Sequence, residues 1–305
     1  MKFSIFQPYQ ENIAEAILSR PSISDTHGFR RSLRSLPSNT EQNCEIKSCL
    51  SRAERGEDIS GASYRSETTS YLSYGISKKR DGSMRNFKDR KSFLKKKFSE
   101  QKIKKIILSD LTHNEKVKII SKKDLTLKSL FQKVGGSDSF LTQERGAVLT
   151  ITVADCFPLF IFDPKKEIVG LCHAGWRGIL KNIIGKTIQK AHKEFQSDPG
   201  DILVGIGPGI QECHFEIKND IFLQFKNYPE FILKRRGKIF IDLLGIIVKQ
   251  LLESGLKKAN IEALKKCTYC FKDKGGYEYF SYRRAKKRKQ NFQLMLAFLS
   301  QIDKN

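Results

Sequence analysis

Three short apolar runs stand close together in the middle of the chain, at Ala147 to Val153, Leu159 to Asp163 and Ile168 to His173. Runs of this length, rich in β-branched and aromatic residues and punctuated by Asp163-Pro164, read as neighbouring strands. Ile106 to Ser109 and Val117 to Ser121 read the same way. Apolar spacing predicts helices at Lys91 to Glu100, at Gly178 to Gln196, where Ile179, Ile183, Ile184 and Ile188 recur, and at Leu243 to Ser254, closed by Gly255. A last helix is expected at Phe292 to Ile302. Strands clustered in the middle with helices before and after favour an α+β fold, a layered mixed β-sheet domain with flanking helices.

Upstream the composition changes. Residues 1–65 hold seven Arg and two Lys, against ten Arg and thirty-seven Lys in the remainder. Segments such as Ser32 to Asn43 lack periodic hydrophobic residues and bury too little apolar area to offset chain entropy. The expectation is a disordered N-terminal extension over 1–65 and one catalytic domain over 66–305. No stretch reaches the roughly 18 uninterrupted apolar residues of a membrane span, since the longest, Ile239 to Leu252, is broken by Asp242 and Lys249. The first twenty residues lack a compact apolar run beside a small-residue cleavage site. A cytoplasmic protein with no membrane partner is expected, in which seven cysteines without a disulfide rhythm stay reduced as buried fillers or metal ligands.

A net charge of +23 would suit an anionic partner. Basic residues concentrate only at Lys78 to Lys105 and Arg283 to Lys289, and elsewhere lysine is thinly spread. That distribution reads as a solvated surface, and no specific nucleic-acid partner is expected.

The chemistry sits between the strands. Cys156 ends one apolar run and His173 a later one, so paired strands could join the two side chains. Thiolate with imidazole is good zinc chemistry, and a thiol activated by an imidazole is also a nucleophile. Gly175 and Gly178 flank Trp176-Arg177 and permit tight turns where a helix starts, a place that suits phosphate. Taken singly, Cys156 and Cys172 read as small buried residues, His173 as a hydrogen-bonded core histidine and Trp176 as a packing anchor.

Together, Ala154-Asp155-Cys156-Phe157-Pro158 and Cys172-His173-Ala174-Gly175-Trp176-Arg177-Gly178 resemble the family once named laccase-domain or multicopper polyphenol oxidases, now described as purine nucleoside phosphorylases. Gly207-Pro208-Gly209-Ile210 and Cys213-His214-Phe215-Glu216-Ile217 resemble a further family segment, with Phe215 in place of tyrosine. Asp138 to Thr142, Cys267-Thr268, Phe280-Ser281-Tyr282-Arg283-Arg284 and Tyr74-Gly75-Ile76-Ser77 extend the likeness over Tyr71 to Ile302. The family's upstream histidine matches Leu111-Thr112-His113-Asn114, with Asn114 in place of glycine, and Val153 stands where the family has threonine. Elimination agrees on His113: of five histidines, His27 lies in the tail, His192 mid-helix and His214 beside Cys213 in a loop.

The resemblance implies one zinc ion held by His113, Cys156 and His173 with an open fourth position. Copper fits less well, because a multicopper enzyme needs more histidines than this chain holds. The implied substrates are phosphate and a purine nucleoside: adenosine, inosine, guanosine or methylthioadenosine. The products are the free base and ribose 1-phosphate or its methylthio analogue. Adenosine deamination at the same site is also implied. Arg177 would face phosphate or the leaving purine, and Asp155 or Glu216 would supply the acid or base that deamination needs, Asp155 serving equally well as a structural hydrogen-bond acceptor. A monomer or homodimer is expected. Phe280 and Tyr282, two apart, read as one face of a buried strand rather than a purine stack, and Arg283, Arg284 and Lys286 to Lys289 stay outside the site. Two other classes remain open: a thiol hydrolase built on Cys156 and His173, and a basic nucleic-acid-binding module that has lost catalysis through Val153 and Asn114.

Overall fold

The computed structural model describes residues 64–65, 70–126 and 128–303. The remainder of the segment expected to be disordered, residues 1–63, lies outside them. Two six-stranded sheets dominate. The first runs, in spatial order, β1 (Tyr64–Arg65), β2 (Ser70–Ile76), β17 (Met295–Asp303), β7 (Ala147–Val153), β3 (Lys105–Asp110) and β5 (Phe131–Gly135). The second runs β14 (Ile261–Ala263), β10 (Leu203–Ile206), β8 (Phe157–Asp163), β9 (Ile168–Ala174), β6 (Ser139–Thr142) and β4 (Val117–Ile119). Both mix parallel and antiparallel pairs, as where β3 runs parallel to β5 and β7 while β17 runs antiparallel to β2 and β7. A three-stranded sheet of β11 (Glu216–Ile217), β13 (Lys238–Ile241) and β12 (Ile232–Arg235) and a hairpin of β15 (Lys272–Asp273) and β16 (Gly276–Tyr277) complete the α+β architecture.

The sheets are stacked, with β7 and β17 against β9. Helix α1 (Phe87–Lys97) covers the outer face of the first sheet, where Leu94 and Phe98 pack with Ile106, Leu108, Val148, Leu296 and Phe298. Helices α2 (Trp176–Leu180) and α3 (Ile183–Phe195) lie against the second sheet, and α4 (Leu243–Glu253) packs on both of them. Cover on both faces explains why every residue of β8 and β9 is buried and why their sequences are apolar runs rather than alternating ones.

Three local expectations are corrected. Phe292 to Ile302 is not a helix but the strand β17, a central strand whose first eight residues are all buried. Met, Leu, Ala and Gln favour helix intrinsically, and pairing on both edges overrides that preference. The helix expected over Gly178 to Gln196 is two, because Asn182 takes a left-handed φ of 57° and caps α3, its side chain accepting the Gly185 N–H at 3.1 Å. Phe280 and Tyr282 do not share a strand face: Tyr282 is exposed and opens helix α5 (Tyr282–Lys287), while Tyr279 between turns is the buried ring. Among the described residues no helix is long and apolar enough to cross a membrane.

Candidate metal centre

The chain passes from the first sheet to the second between β7 and β8, through Ala154, Asp155 and Cys156. Asp155 makes the turn with a left-handed φ of 82°. Its buried carboxylate accepts the Thr268 hydroxyl on Oδ1 and the Arg283 backbone N–H on Oδ2, each at 2.7 Å. Burial pushes this carboxyl above the ordinary range against those hydrogen bonds. The turn hands the chain to β8, which pairs antiparallel with β9 so that Phe157 faces Ala174 and Pro158 faces His173. Cys156 and His173 therefore meet, as the strand reading expected.

His113 joins them from the turn after β3, at a left-handed φ of 57°. The ligand atoms of His113, Cys156 and His173 all lie within 4.8 Å of one another, and the two imidazoles meet edge to face at 4.9 Å between centroids. His113 is exposed, Cys156 half-buried and His173 buried, so the cluster opens to solvent on the His113 side.

Asp138, at the entrance to β6, organises this cluster. Its Oδ1 lies 3.2 Å from His173 Nδ1 and accepts the His113 N–H at 3.0 Å, while Oδ2 accepts the Asn114 N–H at 2.7 Å and the Thr112 N–H at 3.3 Å. Asn114, found where glycine was expected, thus supplies a backbone donor that any residue has. Burial alone would raise the Asp138 pKa, but the hydrogen bonds from His173, Asn114 and His113 hold it below the usual carboxylate value. With Nδ1 engaged, His173 presents Nε2 to the cluster, the orientation a carboxylate imposes on a metal-ligating histidine. A lone aspartate before a strand carries no spacing signal, and this role was not expected from the sequence.

Electrostatics complete the picture. Burial opposes ionisation of Cys156, yet the attraction of His173 and the hydrogen bond from His113 hold its thiol down to about 7. Burial likewise opposes charge on His173, but Cys156 and Asp138 raise it to about 9. The metal-free pair is thus a thiolate and an imidazolium near pH 8. Gly175 leaves space: a Cβ there would lie 3.0 Å from Cys156 Sγ, 3.4 Å from His173 Cε1 and 3.5 Å from His113 Cδ2. One thiolate, two imidazoles, a carboxylate behind one of them and an unfilled glycine face fit a three-ligand metal centre with an open position.

Of the other expected site residues, Arg177 is exposed and its guanidinium lies 4.2 Å from the Trp176 ring centroid. Glu216 stands apart in β11, where its carboxylate pairs with Lys238 at 3.1 Å. Arg284 is buried and donates to the carbonyls of Thr268, Tyr269 and Tyr279.

Residues 60–297 match a family described as multi-copper polyphenol oxidoreductase laccase. A purine nucleoside phosphorylase of Aquifex aeolicus is 36% identical over 184 residues, 60% of this chain and 78% of that protein. A purine nucleoside phosphorylase of Bacteroides thetaiotaomicron is 33% identical over 155 residues, 49% of this chain but only 56% of its own length. The aligned part of this chain therefore spans little more than half of some of these relatives. The crystal structure of YlmD from Geobacillus stearothermophilus has the same fold, with a TM-score of 0.66 and 22% identity over 79% of this chain and 99% of that one.

Proposed function

This chain belongs to the multi-copper polyphenol oxidoreductase laccase family, and on that footing we propose that it is a zinc-dependent purine nucleoside phosphorylase. The observation that carries the proposal is the convergence of His113, Cys156 and His173 within 4.8 Å on a side that faces solvent. Zinc is preferred to copper because one thiolate with two imidazoles is a zinc donor set, and because five histidines in the whole chain cannot assemble several coppers.

In the proposed reaction phosphate attacks the anomeric carbon of adenosine, inosine, guanosine or methylthioadenosine, and the purine leaves. Ribose 1-phosphate or its methylthio analogue is the second product. Zinc, when bound, supplies positive charge that orients an anion and acidifies water at its open position. Arg177 offers a planar fork of donors to phosphate, and Trp176 beneath it supports the guanidinium. Asp138 keeps His173 in one tautomer. Asp155, with both oxygens engaged, acts as a positioning residue that sets the turn carrying Cys156. Adenosine deamination is proposed as a second reaction of the same centre, and a reducing cytoplasm is the compartment that keeps its thiolate ligand available.

The test is dialysis against a chelator, followed by assay of phosphate-dependent hypoxanthine release from inosine. Loss of release on stripping and recovery with zinc is the expected result; release that survives stripping rejects the proposal.

One observation favours a second reading. Cys156, His173 and Asp138 also form a thiol, imidazole and carboxylate sequence, the arrangement of a thiol hydrolase. A metal-free protein with thiol-dependent hydrolysis would favour it.

A further inference from the structure

A second cluster lies on the loops beyond β10 and β14. Cys213 and His214 come from the first loop, and Cys267 and Cys270 from the second. Their four ligand atoms all fall within 4.8 Å of one another. His214 Nδ1 is 3.1 Å from Cys213 Sγ and 3.8 Å from Cys267 Sγ, and the sulfurs of Cys213 and Cys270 are 4.0 Å apart. A tetrahedral zinc ion with Zn–S near 2.3 Å and Zn–N near 2.0 Å has ligand-to-ligand edges of about 3.5–3.8 Å, so the observed separations bracket what such an ion requires.

We infer that Cys213, His214, Cys267 and Cys270 form a second metal site, a closed zinc site of three thiolates and one imidazole. Four protein ligands leave no open position, which marks a structural rather than a catalytic zinc.

The surroundings support the same assignment. The Cys267 sulfur accepts the Gln211 N–H at 3.5 Å and faces the backbone N–H groups of Tyr269 and Cys270. Several amide donors aimed at one sulfur suit a thiolate, and a Cys-x-x-Cys turn provides two of them from its own backbone. The His214 ring is fixed by stacking on Tyr269, at 4.2 Å between centroids and 22° between planes. Three thiolates would give zinc a net negative charge, and Arg283 and Lys287 line the same shallow pocket as Cys213 and His214.

A metal here would also steady the first centre. Thr268, next to Cys267, donates to Asp155, and the Ile210 N–H, on the other loop, donates to the Asp155 carbonyl at 2.8 Å. The Thr268 N–H reaches the Gly209 carbonyl at 3.1 Å. Zinc would therefore tie together the two segments that grip the residue preceding Cys156.

The test is zinc content of the full-length chain purified under reducing conditions, with X-ray absorption at the zinc edge. Wild type is expected to hold two zinc ions with an average of two sulfurs each. Cys156→Ala should keep one zinc, with three sulfur neighbours, and adding Cys270→Ser should remove it. A wild-type zinc lost on Cys270→Ser but not on Cys156→Ala would uphold this site while sinking the catalytic reading, so the two can fail separately. A wild-type shell with a single sulfur per zinc would overturn the inference, as would zinc content unaffected by Cys270→Ser. Protein purified under those reducing conditions that holds no zinc, with Cys213 and Cys270 joined in a disulfide, would also overturn it.

Discussion

One oxygen of Asp138, Oδ1, lies 3.2 Å from His173 Nδ1 and also accepts the His113 backbone N–H at 3.0 Å. A single carboxylate thus orients one imidazole of the cluster directly and holds the peptide that carries the other. Asp138→Asn keeps the shape but replaces one acceptor oxygen with a donor. The expected result is a loss of roughly 10–100-fold in zinc affinity, measured by competition with a chromophoric chelator, with the fold retained by circular dichroism. Unchanged affinity would show that the carboxylate only packs the turn.

Gly175→Ala tests whether the space over the three ligands is needed. The backbone of Gly175, at φ −80° and ψ 159°, suits alanine, so any effect comes from the new methyl against Cys156 Sγ at 3.0 Å. Zinc occupancy at the first centre should fall while the melting temperature of the metal-free protein changes little. Full occupancy would mean that the ligands shift without penalty.

Proton release on zinc binding follows from the charge state of the pair. With Cys156 near 7 and His173 near 9, the metal-free pair keeps one proton between those values, on His173. Zinc should displace that proton there, both protons below about pH 7, and none above about pH 9. Affinity should therefore rise about tenfold per pH unit between pH 7 and 9 and more steeply below. Calorimetry in buffers of different ionisation heat measures the release directly, and a release that grows with pH would contradict the assignment.

Asp155 separates positioning from proton transfer. Asp155→Ala strips the partner from the Thr268 hydroxyl and the Arg283 N–H, and should cost on the order of 1–3 kcal/mol in urea denaturation. Asp155→Asn retains one acceptor oxygen and tolerates the left-handed turn, so it should cost less. A positioning role leaves the pH profile of kcat/KM unchanged in Asp155→Asn; loss of one limb would make Asp155 an acid–base group.

Legibility in the sequence followed the physics of each element. Strands β7, β8 and β9 announced themselves because burial on both faces made them apolar runs, and their ends placed Cys156 and His173 together. The same two-sided burial hid β17, since Met295 to Ile302 then shows no alternation and its residues favour helix. The break at Asn182 depends on one left-handed residue within an otherwise helical period. Asp138 gave no local pattern, because its partners come from the 112–114 turn and from β9. The Cys267-x-x-Cys270 spacing was not singled out in the sequence, and Cys213 and His214 reach it across 53 residues or more only through the parallel pairing of β10 with β14.

The central claim is that His113, Cys156 and His173 hold a catalytic zinc. Its most direct measurement is phosphate-dependent base release from adenosine and inosine, with metal content, in wild type, Cys156→Ala and His173→Ala. The account predicts release by the wild type, and in each variant the loss of one zinc together with a fall of at least 100-fold in release, roughly what removal of a metal-centred electrostatic stabiliser costs. Variants that lose the zinc yet release base at the wild-type rate would contradict it.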